Sequence, residues 1–166
     1  MKLSVIFLLV MLTLPLFAVS AEPNVFHMYG SVPAGRNFPS ILATSNIPYD
    51  KNFTELTEAQ RSLVRANYEG LAAADVPPYP AQGVEQILEP LSKAHPTLLG
   101  RGKMLALAMV SAQGKVTEVK IYYTPNKHVS EIISAALFKT EFTPGTCAGV
   151  PCAMEYLFEQ DLQGAG

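Results

Sequence analysis

The sequence has few of the patterns that identify an enzyme or a nucleic-acid-binding protein. Its three histidines, His27, His95 and His128, stand in no catalytic motif and at no metal-ligand spacing from one another. It contains neither a Gly-x-Ser-x-Gly motif nor a glycine-rich phosphate loop. The lysines and arginines are scattered and the formal net charge is −2, so no basic stripe indicates nucleic acid or anionic lipid. We therefore expect a binding protein without metal or cofactor, with a small hydrolase as the alternative outside this class.

Charged residues are absent from the apolar stretch near the N-terminus. Lys2 precedes an uncharged run over residues 3–18, and small residues follow at 19–21. The run is shorter than the roughly 20 residues that cross a bilayer, and it lies directly before a cleavage-like site. We expect residues 1–21 to be a cleaved signal peptide, so that the mature chain starts at Glu22 without a stable membrane anchor. An uncleaved anchor is the alternative.

Cysteine is also rare, and the only two cysteines, Cys147 and Cys152, lie close together in the sequence. Neither lies near the expected cleavage point, where a thiol could carry a lipid anchor. In an exported chain neighbouring thiols usually oxidise. A zinc site would need two further ligands that the surrounding sequence does not supply, and the spacing is not Cys-x-x-Cys. We expect a local disulfide that stabilises the fold by about 2 kcal/mol.

Two segments precede the main apolar pattern. Residues 22–52 are rich in proline, glycine, asparagine and serine, show no apolar period and are expected to be irregular, extended or partly mobile. Residues 53–76 are expected to be a helical extension, running as a helix to about Ala74, because Thr57 and Gln60 match a capping box. The prolines at 77, 78 and 80 then require an extended backbone.

Residues 77–162 show the order helix, strand, strand, helix, strand, and residues 163–166 form a tail. The first helix contains Pro90, which we expect to kink or divide it. Residues 103–111 and 116–124 predict a hairpin with Gly114 at a left-handed turn position. A helix ending near Thr140 and a last strand at 152–159 follow. We expect an α+β fold: a three-stranded antiparallel sheet with two helices on one face, and an N-terminal helical extension.

The last strand of this sheet would lie at an edge. Met154, Tyr156 and Phe158 share one face of the strand, whereas Glu155 and Glu159 lie on the other, where solvated charges are more common than a catalytic carboxylate pair. An open edge accepts an extended peptide as an additional strand, and it also allows a homodimer through the sheet edge.

Short motifs follow one another in a fixed order over residues 77–160. They are Pro78-Tyr79-Pro80-Ala81, Val110-Ser111-Ala112-Gln113-Gly114-Lys115-Val116, Val119-Lys120-Ile121, Ala135-Ala136-Leu137, Phe142-Thr143-Pro144-Gly145 and a closing strand after Gly149. This ordered set resembles the C-terminal domain of TonB. The resemblance implies a periplasmic domain that binds a short peptide at the edge of its last strand and couples inner-membrane energy to outer-membrane receptors.

The resemblance also implies which residues contact the partner, an envelope protein or the peptide of an outer-membrane receptor. They are Tyr79 and Pro80, which match the family's Tyr-Pro motif, and the last strand, with Cys152, Ala153, Met154, Glu155, Tyr156, Leu157 and Phe158. We expect the side chains of Met154, Tyr156 and Phe158 to belong to the core, so the strand backbone is the better candidate for contact.

Several features of the energy transducers in this family are missing. The leader looks cleavable and has no histidine, the proline-rich linker is short, and Thr140 stands where tryptophan is usual in a chain that has no tryptophan. We therefore expect a soluble periplasmic partner-binding or accessory protein. The alternative within the family is a membrane-anchored energy transducer for outer-membrane transport.

Overall fold

The computed structural model describes residues 26–29 and 47–163. In chain order its elements are β1 (Phe26–Met28), a 3-10 turn (Phe53–Glu55), α1 (Glu58–Arg65), β2 (Tyr79–Pro80), α2 (Glu85–Ser92), a second 3-10 turn (Pro96–Leu98), β3 (Gly102–Val110), β4 (Val116–Tyr123), α3 (Lys127–Lys139), β5 (Phe142–Thr143), β6 (Gly145–Cys147), β7 (Val150–Cys152) and β8 (Met154–Leu162). The predicted signal peptide lies outside the described residues. Within them, no helix is long and apolar enough to cross a membrane.

The fold is α+β, as predicted, and its main sheet has the strand order β1-β4-β3-β8. β3 and β4 form the predicted antiparallel hairpin, and β8 pairs antiparallel with the other side of β3, so that Phe158 lies opposite Ala106. The last strand therefore lies beside the first strand of the hairpin, as a right-handed crossover requires. This arrangement leaves β8 at one edge of the sheet.

β1 gives the sheet one strand more than the three predicted. It runs parallel to β4, with Phe26 opposite Val119, so the sheet is mixed rather than wholly antiparallel. Residues 26–28 are thus a paired strand within the segment 22–52, for which the sequence predicted no strand. Three residues are too few to show an alternating pattern, and β1 forms because the free edge of β4 supplies hydrogen-bond partners for its backbone.

Local signals account for the turns and caps that shape the sheet. Gly114 has φ 76°, and its N–H donates to the Ser111 carbonyl at 2.9 Å, which closes the hairpin. The Asn126 side chain accepts the Val129 N–H at 3.0 Å and starts α3, which ends before Thr140 as predicted.

The predicted capping box of α1 is confirmed, because the Thr57 side chain and the Gln60 side chain each accept the other residue's backbone N–H. The helix, however, ends at Arg65 and not near Ala74. The Arg65 guanidinium donates to the carbonyls of Ala72 and Asp75, which holds residues 66–75 in a turn back along the helix.

α2 is one helix with Pro90 inside it, so the predicted division does not occur. Pro90 lies in the last turn, where its missing N–H removes only one helical hydrogen bond.

The main core fills one face of the sheet under α2 and α3. Its largest fully buried side chains include Ile87, Met104, Val110, Val119, Ile121, Val129, Ile133, Leu137 and Phe158. A second, smaller cluster on the opposite face consists of Leu105, Leu107, Tyr122 and Leu157. Alternation along β8 therefore sends Tyr156 and Phe158 into the main core and Leu157 into the smaller cluster.

Candidate functional site

The predicted binding strand is two elements in the structure. Cys152 ends β7, which pairs with β6 in a separate hairpin, and β8 begins at Met154. The predicted disulfide between Cys147 and Cys152 is present, with its Cα atoms 5.8 Å apart. Cys152 and Ala153 therefore do not belong to the edge strand, and the prediction of a strand starting at Cys152 is wrong. The disulfide closes a two-strand hairpin whose strands are too short to show alternation.

Asp75 attaches this disulfide hairpin to the helical extension. Its carboxylate accepts the N–H groups of Gly149 at 2.7 Å and Ala148 at 2.9 Å, at the tip of the hairpin. These two backbone hydrogen bonds, strongest from Gly149, hold the pKa of Asp75 below its usual value. Val76 and Thr146 add two further hydrogen bonds of 2.9 Å. The segment that joins α1 to β2 is thus fixed against β6 and the tip of the disulfide hairpin.

A cleft that opens to solvent runs along the edge of β8. The extension and the start of α2 form one wall and β8 forms the other. The lining residues are Ile47, Tyr49, Val64, Asn67, Tyr68, Tyr79, Val84, Tyr156, Leu157, Phe158, Glu159 and Gln160. We call this feature the β8 cleft.

The outer rim of the β8 cleft is built by residues 47–51. The Tyr49 carbonyl accepts the Glu85 N–H at 2.8 Å, and Gly83, with φ 87°, lies so close to the Tyr49 carbonyl that a Cβ atom there would overlap it. The Tyr49 hydroxyl reaches Gln160 Oε1 at 3.5 Å across the mouth of the cleft. This segment therefore connects the start of α2 to the end of β8.

Tyr68 lies against the middle of β8. The Leu157 backbone forms a hydrogen bond with its hydroxyl, and this bond lowers the pKa of Tyr68, so the phenol oxygen is the acceptor and the Leu157 N–H is the donor. Burial outweighs this effect and raises the pKa of Tyr68 overall. One main-chain donor at the outer edge of the predicted binding strand is therefore already engaged by the chain itself.

Tyr79 forms the inner end of the cleft and is 3% exposed. Its ring packs against Phe53, with centroids 5.8 Å apart, and meets Tyr156 edge-on at 6.5 Å. Burial raises the pKa of Tyr79 to about 12. The Tyr79 hydroxyl and the Asn67 Oδ1 atom are both buried, and neither has a hydrogen-bond partner in the described part of the chain. Buried polar atoms without partners are uncommon, so these two oxygens mark a point in the cleft where a water molecule or another hydrogen-bond donor fits.

The structure brings together four of the residues that the sequence singled out for partner binding: Tyr79, Tyr156, Leu157 and Phe158 line the β8 cleft. Pro80 is fully buried beneath it, paired with Phe142, and Met154 and Glu155 lie on β8 outside the lining.

Sequence reasoning missed the opposite wall, formed by Ile47, Tyr49, Val64, Asn67, Tyr68 and Val84. The capping box of α1 locates the helix, but no local signal shows that its far end lies on β8.

The three histidines do not contribute to this cleft. His27, His95 and His128 are all exposed, and His128 lies beside Glu131 on the surface of α3. Across residues 26–29 and 47–163, no group of three histidine, cysteine or acidic side chains could hold a metal ion. The arrangement presents aromatic rings, oxygen atoms and a strand edge, which are the parts of a binding site.

No protein-family model, no curated protein and no solved structure matches the chain. The α+β fold is therefore established by the structure itself, and the likeness to the TonB domain rests on the motifs of the sequence.

Proposed function

We propose that this is an exported partner-binding or accessory protein of the bacterial envelope, which takes an extended peptide of an envelope protein or outer-membrane receptor at the edge of β8. The observation that carries the proposal is the β8 cleft, where the Tyr79 hydroxyl and Asn67 Oδ1 are buried without partners among the described residues. A peptide in the cleft would supply both partners and cover the aromatic walls.

The hypothesis of a TonB-like domain is supported by the strand order β4-β3-β8 and by the position of α2 and α3 over one face of this sheet. Export is supported by the apolar leader and by the disulfide, since such bonds persist in oxidising compartments such as the periplasm. The short distance between the leader and the folded part favours an accessory role over that of an energy transducer.

The main chain of β8 limits how a peptide can pair. Because the Leu157 N–H points away from β3 towards Tyr68, alternation directs the main-chain groups of Glu155, Glu159 and Asp161 outward as well. Strand addition along the whole edge requires Tyr68 to move. A peptide that enters beside Glu159 pairs with the C-terminal part of β8 and leaves Tyr68 in place.

Photocrosslinking in cells tests the proposal. A benzophenone amino acid replaces Tyr49 at the mouth of the cleft in one variant and Tyr123 in the other, since the two side chains are equally exposed, at 47% and 46%. We expect an adduct with an envelope protein from position 49 and none from position 123. Equal adducts from both positions, or adducts from 123 alone, would contradict binding at β8.

A further inference from the structure

β1 is held to the main sheet by few contacts. It has three residues, whereas its neighbour β4 has eight and β3 and β8 have nine each. Met28 and Tyr29 are 54% and 41% exposed, and His27 is exposed as well, so only Phe26 packs against the main core. A segment with so few buried contacts can leave the sheet while the rest of the chain stays folded.

The backbone of β1 bonds to β4 through alternate residues. The Tyr29 N–H donates to the Ile121 carbonyl at 2.7 Å. In a parallel pair the main-chain groups of every second residue face the same neighbour, so those of His27 also face β4, whereas those of Phe26 and Met28 face away. The N–H groups of His27 and Tyr29 therefore hold this strand on the sheet.

The Phe26 side chain anchors β1 against α3. It lines a groove together with Glu131, Ser134, Ala135, Phe138 and Lys139, which we call the α3 groove. Its volume is about 240 Å³, several times the roughly 30 Å³ of one water molecule, so Phe26 leaves room there for a larger side chain. The rings of Phe26 and Phe138 and the methyl group of Ala135 supply its apolar surface. Glu131 is already bound to Lys127 at 3.3 Å.

One polar atom at the α3 groove lacks a partner. Ser134 is 2% exposed, and its Oγ atom has no hydrogen-bond partner in the described part of the chain. A serine inside a helix can bond to the carbonyl four residues earlier, as Ser130 does with Asn126 at 3.3 Å. The unpaired Ser134 hydroxyl costs free energy that a hydroxyl group entering the groove would recover, since each can donate or accept.

We propose that the β4 edge and the α3 groove form a second peptide-binding site, which the chain's own residues 26–29 fill until a partner displaces them. The partner is an extended segment that runs parallel to β4 and has tyrosine at the position of Phe26. Its main chain replaces that of β1, and its larger aromatic side chain fills the groove and bonds to Ser134. The site lies at the opposite edge of the sheet from β8 and does not depend on the proposed function. A peptide without the aromatic anchor leaves β1 in place.

Fluorescence anisotropy tests the inference on the full mature chain. The probe is fluorescein-Asn-Val-Tyr-His-Met-Tyr-Gly-amide, which has the sequence of residues 24–30 with tyrosine in place of Phe26. Two further peptides have phenylalanine or alanine at that position. We expect the tyrosine peptide to bind several-fold more tightly than the phenylalanine peptide and the alanine peptide to show no saturable binding.

Two proline variants locate the site. His27→Pro removes an N–H that faces β4, whereas Met28→Pro removes one that faces away and is the matched control. Because a weakened β1 leaves the site open more often, His27→Pro should bind the tyrosine peptide about tenfold more tightly than wild type, and Met28→Pro should bind it as wild type does. Adding Ser134→Ala to His27→Pro should lower the tyrosine affinity to the phenylalanine affinity and leave the latter unchanged.

Hydrogen exchange tests the wild-type chain without any substitution. The Tyr29 amide should exchange faster than the Phe158 amide, which points from β8 towards β3. An excess of the tyrosine peptide should accelerate exchange at Tyr29 further, because it displaces β1, and should leave Phe158 unchanged.

The contrary results are equally specific. Equal affinity of the tyrosine peptide for wild type and both proline variants would place the peptide elsewhere and overturn the site. Tight binding of the alanine peptide, or no binding of the tyrosine peptide to His27→Pro, would overturn it as well. Exchange at Tyr29 as slow as at Phe158 and unchanged by the peptide would show that β1 is a permanent strand. None of these results bears on peptide binding at β8.

Discussion

Asp75 Oδ1 lies 2.7 Å from the backbone nitrogen of Gly149, a residue at the tip of the disulfide hairpin. The contact joins the end of the helical extension to the segment just before β8. Since Tyr68 and Arg65 belong to the same extension, this attachment positions the wall of the β8 cleft.

Asp75→Asn should lower the urea midpoint of unfolding at neutral pH, because the amide offers one acceptor oxygen where the carboxylate offers two. The pKa of Asp75 is lowered in the folded protein. The contribution of the Asp75 carboxylate to the free energy of unfolding is therefore fully present above pH 3.8, the ordinary pKa of aspartate. This contribution is lost as the pH falls through the lowered pKa of the folded protein. Urea titrations over this range should show wild type and variant converging at acidic pH. Glu89→Gln on the surface of α2 is the control. A difference between the urea midpoints of wild type and Asp75→Asn that persists at acidic pH would contradict this role of the Asp75 carboxylate.

Replacing Cys147 and Cys152 by serine should lower the free energy of unfolding by about 2 kcal/mol, because the disulfide constrains a short loop in the unfolded chain. Urea unfolding of the variant, and of wild type with and without reductant, measures the loss. The effect of Asp75→Asn should also shrink in the serine variant, because the hairpin tip that Asp75 holds is then less ordered. Strictly additive effects would show that the two contacts act independently.

Tyr79→Phe should raise the free energy of unfolding of the unliganded protein by about 1 kcal/mol, because it removes a buried hydroxyl that has no partner in the described part of the chain. Chemical denaturation measures the change. Tyr123→Phe, at an exposed position, serves as the control and should have no effect. A loss of stability in Tyr79→Phe would indicate that the hydroxyl is already satisfied, and a site for a ligand would lose its main support.

Tyr68→Phe should accelerate hydrogen exchange of the Leu157 amide, because that N–H loses its acceptor at the outer edge of β8. The Phe158 amide points towards β3 and should keep its protection, which makes it an internal control. Exchange rates measured by nuclear magnetic resonance on wild type and on Tyr68→Phe test this expectation. Unchanged exchange at Leu157 would show that Tyr68 does not cover the edge.

Leu137→Ala should lower the free energy of unfolding by about 3 kcal/mol, because Leu137 is fully buried between α3 and the sheet and its truncation leaves a cavity. Leu98→Ala makes the same change at a side chain that is 37% exposed and should cost far less. Thermal and urea unfolding give both values. Equal losses at the two positions would contradict the core described above.

The sequence predicts the elements whose signals are local. The capping box at Thr57, the turn glycine Gly114 and the spacing of Cys147 and Cys152 each depend on a few neighbouring residues, and the structure confirms all three. The place of β8 beside β3 also follows from a general rule of chain crossovers.

The elements that the sequence did not reveal depend on distant partners. β1 is a strand because of β4, and β2 pairs with β5 across more than sixty residues, with Tyr79 opposite Thr143. The same holds for the site: Asn67 and Tyr68 lie beyond the end of α1 in a turn with no apolar period, and Tyr68 contacts β8 through the distant Leu157 backbone. Half of the residues that line the cleft could therefore not be predicted from a local sequence pattern.

The most direct measurement of the central claim is chemical-shift mapping of the isotopically labelled mature chain during titration with acetyl-Val-Thr-Val-Thr-Val-amide, a capped extended peptide. Binding in the β8 cleft predicts saturable shifts that are largest at Asn67, Tyr79 and Glu159, with the β1 and β4 edge unchanged. Shifts concentrated at β1 and β4, or no saturable shift at any residue, would contradict the account.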